Sequence, residues 1–305
     1  MSTLKQFNYL ITIVHEGSFT AASEKLFIAQ SALSRQIKNL EQELGFEIFD
    51  RTQKRIKLTS AGQILYQNLK NHLAHLHRSI VLAQRVDRGE GRLLNVAHSS
   101  SIIMDHQKLK VLEHLCNTQH IEIEINTLSS ELQIESVLNG SIDLGLIRPP
   151  IYQTLDQVNS LSLYTAPLYV AVHISNSVLY TQTHVCIAEL EPFDFVSTPH
   201  HERGGLSYLA TNLCLSHGFA PKKAKIRSRK LSQLDLVAHG LGICIVPEEF
   251  QAVLPQDVKL IPITGENYLS EVKLIWKKDS EAIVYDCADR LQRSFNPHLL
   301  SNQNY

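Results

Sequence analysis

The sequence predicts an α+β protein of several domains, in which a small helical domain and a long helix precede two α/β lobes. Three observations lead to this prediction. Residues 1–60 carry three helical patterns and a short basic hairpin, residues 61–91 carry a heptad pattern, and the rest of the chain alternates strand and helix patterns. With 305 residues, of which 44% are hydrophobic, the chain is long enough for two or three domains with ordinary cores.

Two helices are expected at the N-terminus. In residues 4–14 the apolar side chains recur at helical spacing, and Gly17 is placed to end this helix. Ser18 is a suitable N-cap for the next helix, SFTAASEKL, whose small Ala21 and Ala22 let two backbones approach closely. The apolar face of the first helix is expected to comprise Leu4, Phe7, Leu10, Ile11 and Val14.

The third helix, within AQSALSRQIKNLEQEL at residues 29–44, has two unlike faces. Its apolar residues are spaced by four, three and four positions, which is typical of a buried helix face: Leu33, Ile37, Leu40 and Leu44. Its polar face holds amides, hydroxyls and cations: Gln30, Ser31, Ser34, Arg35 and Lys38. Because a tight turn separates it from the second helix, it occupies the place of a recognition helix in a helix-turn-helix, with the polar face turned to a DNA major groove.

The segment FEIFDRTQKRIKLTSAG predicts two short strands around a basic tip. The tip holds Arg51, Lys54, Arg55 and Lys57, which are expected to lie against phosphates or in a minor groove. From Gln30 to Ser60 there are six Lys and Arg against four Asp and Glu. Residues 1–60 are therefore interpreted as a winged helix-turn-helix that binds double-stranded DNA, and the alternative is an ordinary solvated charged surface.

Net charge and composition disfavour several other classes of protein. The formal net charge of −1 excludes a uniformly basic surface, so DNA affinity must come from local patches. MSTLKQF does not resemble a signal peptide and no apolar run has the length of a membrane span, so a cytoplasmic protein without a membrane partner is expected. The five cysteines are scattered without a Cys-x-x-Cys pair, which disfavours a disulfide framework or a zinc ribbon.

Residues 61–91 predict a linker and dimerisation helix. Its apolar residues alternate spacings of four and three, as in a coiled-coil seam: Leu69, Leu73, Leu76, Ile80 and Ala83. The expected partner is a second copy of the chain. His72, His75 and His77 also lie here, but a metal site is disfavoured because no Cys or acidic ligand accompanies them.

Two α/β lobes are expected after a Gly-containing linker, DRGEGR. Strand and helix patterns alternate as in a mainly parallel sheet, and the order recurs later in the chain. Gln133, Val137 and Gly140 recur as Gln233, Val237 and Gly240, which indicates two similar lobes. With APLYVAVH and EVKLIWKK as bridging strands, residues 92–165 and 270–305 form regulatory lobe I, and residues 166–269 form lobe II.

Ligands of such sheets bind outside the carboxyl ends of the strands, in the cleft between lobes. Hydroxyls, backbone amides and one guanidinium are expected there, a set suited to a small anion. The candidate effector-binding residues are Ser99, Ser100, Ser130, Arg148, Thr198 and His200, with Ser101 and His201 beside them. No cofactor or metal is expected, and the ligand is an effector of organic-acid type. The alternatives are that the serines are helix caps and that Arg148 forms a salt bridge at the rim.

Residues 4–66 resemble the DNA-binding domain of LysR-type bacterial transcriptional regulators, and GSFTAASEKL, AQSALSRQIKNLEQELG and FDRTQKRIKLTSAG carry the resemblance. VLNGSIDLGLIRP and GLGICIVP extend it to the later chain, which looks most like members that respond to benzoate or muconate. The resemblance implies a homodimer or homotetramer that bends promoter DNA, contacts RNA polymerase and responds to an effector in the cleft. Ser31 departs from the proline common in the family, but a serine is still expected to cap the helix.

Two other classes are disfavoured. The chain has no Gly-x-Ser-x-Gly elbow, no His-Glu-x-x-His helix and no Walker loop, so it is not expected to be an enzyme. The lobes resemble periplasmic-type solute-binding proteins in outline, but such a protein does not need the N-terminal domain. A sensor with redox input through cysteines, or another ligand input, is the remaining alternative.

Overall fold

The computed structural model describes residues 3–50, 56–197, 204–228, 232–265 and 268–295. The chain divides into two compact units, Met1–Gln84 and Arg85–Tyr305. Among the described residues, no helix combines the length and the apolarity that a membrane crossing needs.

The first unit is the predicted helix-turn-helix with a hairpin and a long helix. Three helices enclose one apolar core, and two short antiparallel strands follow them, with Phe49 opposite Leu58 and Asp50 opposite Lys57. The elements are α1 (Leu4–Glu16), α2 (Phe19–Lys25), α3 (Gln30–Leu44), β1 (Phe49–Asp50), β2 (Lys57–Leu58) and α4 (Ser60–Asp87).

The beginnings of α1 and α2 are set by their caps. Ser18 caps α2 as predicted, because its hydroxyl accepts a hydrogen bond from the Ala21 amide at 3.0 Å. The predicted buried face of α1 was wrong in part, since Leu4 is exposed. Its buried residues are Gln6, Tyr9, Leu10 and Ile13. Burial of Gln6 is satisfied by hydrogen bonds, which link it to the Thr3 cap and to Gln36 of α3.

The start of α4 packs directly on the hairpin. A Cβ at Gly62 would lie 2.2 Å from the Ile48 carbonyl oxygen, so only glycine permits this approach. The Thr59 hydroxyl accepts from the Gly62 amide at 2.9 Å and donates to the Glu47 carbonyl at 2.7 Å. These contacts hold the hairpin strands against the helix that follows them.

The second unit contains two α/β lobes joined by shared strands, which confirms the predicted fold class. Most of its strands form one sheet, and two further strands form a separate parallel pair. The first lobe contains β3 (Arg92–His98), α5 (His106–Gln119), β4 (Ile121–Thr127), α6 (Ser130–Leu138), β5 (Leu144–Ile147), β12 (Leu269–Lys277) and α10 (Ala282–Phe295).

The second lobe comprises α7 (Ser177–Tyr180), β7 (Val185–Cys186), β8 (Asp194–Ser197), α8 (Leu206–Ser216), β9 (Lys222–Ser228), α9 (Ser232–Ala238), β10 (Cys244–Pro247) and β11 (Val258–Thr264). Short 3₁₀ helices follow β7 and β10, at Ile187–Leu190 and Glu248–Val253. A single buried cluster, which includes Phe195, Phe250 and Ile261, forms the core of this lobe.

The main sheet has the order β4-β3-β5-β12-β6-β11-β7, where β6 is Val158–His173, and β10 also pairs with β6; β8 and β9 form the separate pair. Strand β6 belongs to both lobes. Its first part pairs antiparallel with β12, and its last part pairs with β10 and β11. The predicted bridging strands are therefore present, although β6 begins well before the expected residue 166. The early part, VNSLSLYT, interrupts its apolar residues with Asn, Ser and Thr, so it lacks the nearly continuous apolar run by which APLYVAVH was recognised.

The predicted internal repeat is confirmed. Gln133 and Val137 on α6 are buried, and so are Gln233 and Val237 on α9. The glycines that follow have left-handed φ angles, 70° at position 140 and 68° at position 240. Each helix thus buries a glutamine side chain and is followed by a glycine with a left-handed φ angle, which explains why the sequence pattern recurs.

Candidate functional site

The polar face of α3 lies opposite the core. Leu33, Ile37 and Leu40 are fully buried on one side of the helix. The side chains predicted to read bases lie on the other side and are exposed, except Ser34, which is half-buried: Gln30, Ser31, Arg35 and Lys38. The Gln30 amide donates to the Ser34 hydroxyl at 3.1 Å. The helix therefore presents a continuous row of hydrogen-bond donors and two cations.

The prediction that Ser31 caps α3 was wrong. The helix begins two residues earlier than that cap implies, at Gln30, with Ala29 as its N-cap and no side-chain hydrogen bond at that cap. Ser31 therefore lies inside the first turn, where its hydroxyl is exposed. A helix start without a side-chain cap leaves backbone amides that a phosphate can satisfy.

Glu41 joins α3 to the hairpin, a role that the sequence pattern did not reveal. Its carboxylate is buried and accepts hydrogen bonds from the backbone amides of Ile48 at 2.9 Å and Phe49 at 3.2 Å. Because these amides precede or begin β1, the carboxylate sets the position of the wing relative to α3. The predicted tip residues Arg51, Lys54 and Arg55 lie outside the described residues, whereas Lys57 is exposed in β2.

Apolar side chains in the heptad seam of α4 are exposed in the single chain. Leu76 is 39% exposed and Ile80 is 47% exposed. Leu69 instead packs partly on the core of the helix-turn-helix. Exposed leucine and isoleucine in a regular row are typical of a helix that pairs with another helix.

Arg148, the cation predicted for the cleft, is completely buried at the end of β5. Its guanidinium donates to the Ser270 hydroxyl at 2.6 Å and to the Ser101 carbonyl at 3.1 Å, and it pairs with the Glu249 carboxylate. The backbone amide of Arg148 donates to the Ser130 hydroxyl at 3.2 Å. The structure therefore brings Arg148, Ser130 and the Ser99–Ser101 segment together.

The structure describes only some of the other residues that were predicted for the cleft. Ser99 is buried, its hydroxyl lies 3.0 Å from that of Ser101, and Ser100 beside it is half-buried. Thr198 and His200 lie outside the described residues, as does His201. The alternative prediction, a salt bridge of Arg148 at the rim, was right about the salt bridge but wrong about its place, because the ion pair with Glu249 is buried.

Three side chains of the first lobe contact the Glu249 carboxylate. Of these three, only Arg148 was predicted from the sequence. Besides Arg148, the Tyr164 hydroxyl donates to its carboxylate at 2.7 Å and the Lys108 ammonium lies 3.3 Å away. Lys108 also pairs with Asp105 at 2.5 Å and lies 5.3 Å from the centre of the Tyr164 ring. No local sequence pattern predicts this cluster, because its members are scattered between residues 101 and 270.

The cluster shifts the pKa values of two neighbours. Burial, with the Glu249 carboxylate beside the hydroxyl, raises the pKa of Tyr164 far above its ordinary value. Burial alone would raise the pKa of Asp105, but hydrogen bonds from Lys108 outweigh it and the pKa lies below its ordinary value. Tyr164 is therefore a neutral donor and Asp105 a carboxylate at neutral pH.

The thiols offer little support for redox sensing. Burial raises the pKa of Cys214 and Cys244 to about 12 and that of Cys287 to about 11. Burial also raises the pKa of the half-buried Cys116, while Cys186 is exposed. Since the thiolate is the reactive form, the three buried cysteines are poor redox groups.

Both units match known families. The family described as "Bacterial regulatory helix-turn-helix protein, lysR family" matches residues 4–63, and "LysR substrate binding domain" matches residues 88–295. The relatives include the regulator BenM of Acinetobacter baylyi (strain ATCC 33305 / BD413 / ADP1), 28% identical over 302 residues, 96% of each chain. They also include the regulator AlsR of Bacillus subtilis (strain 168), 26% identical over 277 residues, 91% of each chain.

Solved structures with similar folds cover nearly all of this chain. Full-length CbnR in complex with its target DNA matches with a TM-score of 0.78 and 23% identity, over 96% of this chain and 99% of that chain. Full-length BenM matches with a TM-score of 0.60 and 24% identity, over 97% of each chain. The chain belongs to the LysR family and is a DNA-binding transcriptional regulator with an effector-binding domain.

Proposed function

We propose that this regulator binds its operator through the exposed face of α3 and responds to a small carboxylic acid in the cleft beside Arg148. The observation that carries the first part is the two-faced helix, with three buried apolar residues opposite Gln30, Arg35 and Lys38. Amide and guanidinium groups make paired hydrogen bonds with adenine and guanine edges in the major groove.

The remaining DNA contacts are made by serine hydroxyls of α3 and by basic side chains of the wing. Ser31 and Ser34 lie in the first turns of α3, beside amides that a phosphate can satisfy. Arg51, Lys54 and Arg55 would reach the phosphates or the minor groove from the wing, whose strands are held by Glu41 and Thr59. Binding should therefore weaken as salt rises, because phosphate contacts release counterions.

The acid is proposed because the cleft supplies cations and hydroxyls together. Arg148 and Lys108 are buried, and Ser130, Ser101 and Ser99 lie on the side of Arg148. Tyr164 and Phe295 pack with ring centres 5.8 Å apart at the same place, which favours an acid with a flat unsaturated or aromatic body. Effectors of the benzoate or muconate kind fit this description. Ser100, Thr198 and His200 complete the proposed effector contacts.

Assembly through the α4 seam is the third part of the proposal. The uncovered Leu76 and Ile80 support a homodimer formed by α4 from two chains. We also propose a homotetramer that contacts RNA polymerase in the cytoplasm, where the promoter DNA lies.

A thermal-shift screen tests the effector class. Small carboxylates, aromatic and aliphatic, are compared with amino acids and polyamines on the full chain. An acid present at about 100 times its dissociation constant adds about 2.7 kcal/mol to stability, which raises the unfolding midpoint by several degrees. Loss of that shift in Ser130→Ala would assign the acid to this cleft, whereas a response only to amines would contradict the proposal.

A further inference from the structure

The carboxylate of Glu249 belongs to the second lobe but is bound by the first. It lies in the 3₁₀ helix Glu248–Val253, which follows β10. Its partners are Lys108 on α5, Arg148 at the end of β5 and Tyr164 in the early part of β6. These three donors form what we call the anion socket.

The anion socket requires a negative charge. Arg148 and Lys108 are both buried, and Asp105 neutralises only one of the two cations. Glu249 supplies the second negative charge, and its own side chain is only 7% exposed. Burying a cation without a counter-ion is strongly unfavourable, so the anion socket is stable only when a carboxylate or a similar anion fills it.

We propose that Glu249 is a built-in occupant of the effector's anion position, and that an acid effector acts by displacing it from the anion socket. The proposal rests on the proposed function, because it concerns the same cleft. An effector that takes over Arg148 and Lys108 releases Glu249, and with it the charged contact between the lobes.

Other lobe contacts do not depend on Glu249. The Gly205 amide donates to the Pro150 carbonyl at 2.7 Å, and the rings of Tyr152 and Tyr208 lie 5.3 Å apart. Displacement of Glu249 therefore leaves the lobes joined and changes only one side of their interface. The tethered carboxylate also competes with any free acid at high local concentration, so simple acids lacking further contacts are rejected.

Chemical rescue tests the proposal without knowledge of the effector. Glu249→Ala removes a group equivalent to acetate, so acetate should fill the vacated place. We expect the full-length variant to unfold at a lower temperature than the wild type, and to regain most of the difference as acetate is added, in a saturable manner. Sodium chloride at equal ionic strength should not restore it.

Glu248→Ala is the matched control, because Glu248 is the adjacent residue, is exposed and contacts only Tyr169 among the described hydrogen bonds. This variant and the wild type should show no saturable response to acetate. An acetate response of Glu249→Ala equal to that of Glu248→Ala would overturn the proposal.

A second variant covers the case in which Glu249→Ala does not fold. Glu249→Gln keeps the shape of the side chain and removes its charge, so benzoate measured by calorimetry should bind about tenfold more tightly, or better, than to the wild type. Equal affinity, or no binding to the variant, would contradict the proposal.

The two proposals fail in distinguishable ways. If the wild type responds to acids in the thermal screen but acetate does not rescue Glu249→Ala, displacement is wrong and the acid effector stands. If acetate rescues Glu249→Ala but the wild type responds to no acid, Glu249 does occupy an anion socket and the effector is of another class.

Discussion

The polar face of α3 and the anion socket use charge in opposite ways. Arg35 and Lys38 are exposed and lie within one short helix, so they are available to a partner and contribute little to folding. Arg148 and Lys108 are buried against carboxylates, so they contribute to folding as long as these counter-ions remain. Substitutions on α3 should therefore change DNA affinity at constant stability, and those in the anion socket should change stability first.

The largest effect is expected for Arg148→Ala. Removing Arg148 leaves the buried Glu249 carboxylate with only the Lys108 ammonium, at 3.3 Å, as a counter-ion, which should lower the free energy of unfolding by about 3–5 kcal/mol. Urea unfolding of the full chain, followed by fluorescence, measures this loss, because the single tryptophan, Trp276, lies in the core of the first lobe.

The double variant Arg148→Met with Glu249→Leu is the control. It removes both charges, so it should recover most of the lost stability. A loss below about 1 kcal/mol in the single variant, the range of exposed ion pairs, would show that the pair is not buried in solution.

Glu41→Ala tests a buried charge inside the DNA-binding domain. Its carboxylate accepts from the amides of Ile48 and Phe49, and loss of hydrogen bonds to a charged group should cost about 1.5–3 kcal/mol. Hydrogen exchange of the full chain should show about tenfold or faster exchange at these two amides. Gln42→Ala, at an exposed position on the same helix, should leave them unchanged, and equal protection in both variants would remove Glu41 from this role.

Arg35→Ala should weaken specific DNA binding by about 1–3 kcal/mol, because it removes a base contact and no packing. Its free energy of unfolding should change by less than about 0.5 kcal/mol. Anisotropy titration with operator and unrelated duplexes measures both affinity and preference. Arg293→Ala, at an exposed position on α10, is the control for loss of a cation, and it should bind both duplexes as the wild type does.

The sequence predicted the α3 face but not the anion socket, because only the residues of the α3 face lie close together in the chain. The α3 face depends on spacing within fifteen residues, so hydrophobic periodicity identified it, and the cap at Ser18 followed from residue type alone. The anion socket and its occupant Glu249 bring together residues up to 141 positions apart, from Lys108 to Glu249, and no periodicity relates them. The pattern SSSIIMDHQKLKVLEHLC predicts a helix from Ser99, but α5 begins only at His106, because Asp105 caps the helix and Ile102 is buried in the preceding turn.

The smallest effect is expected from Asp105, which is partly exposed. Its folded-state pKa lies below the ordinary value near 3.8, so its contribution is present above that pH and is lost as the pH falls through the folded-state pKa. The stability difference between the wild type and Asp105→Asn should therefore shrink as the pH falls from about 5 to about 3. A difference that stays constant, or grows, over this range would contradict the pairing with Lys108.

The most direct test of the central claim, that the α3 face reads the operator while the anion socket serves another role, is selection from random DNA duplexes. Wild type, Arg35→Ala and Glu249→Gln are each used as full chains, and the retained duplexes are sequenced. We predict that the wild type and Glu249→Gln enrich the same motif, and that Arg35→Ala loses preference at specific positions of it. Unchanged preference in Arg35→Ala, or a different motif with Glu249→Gln, would contradict the account.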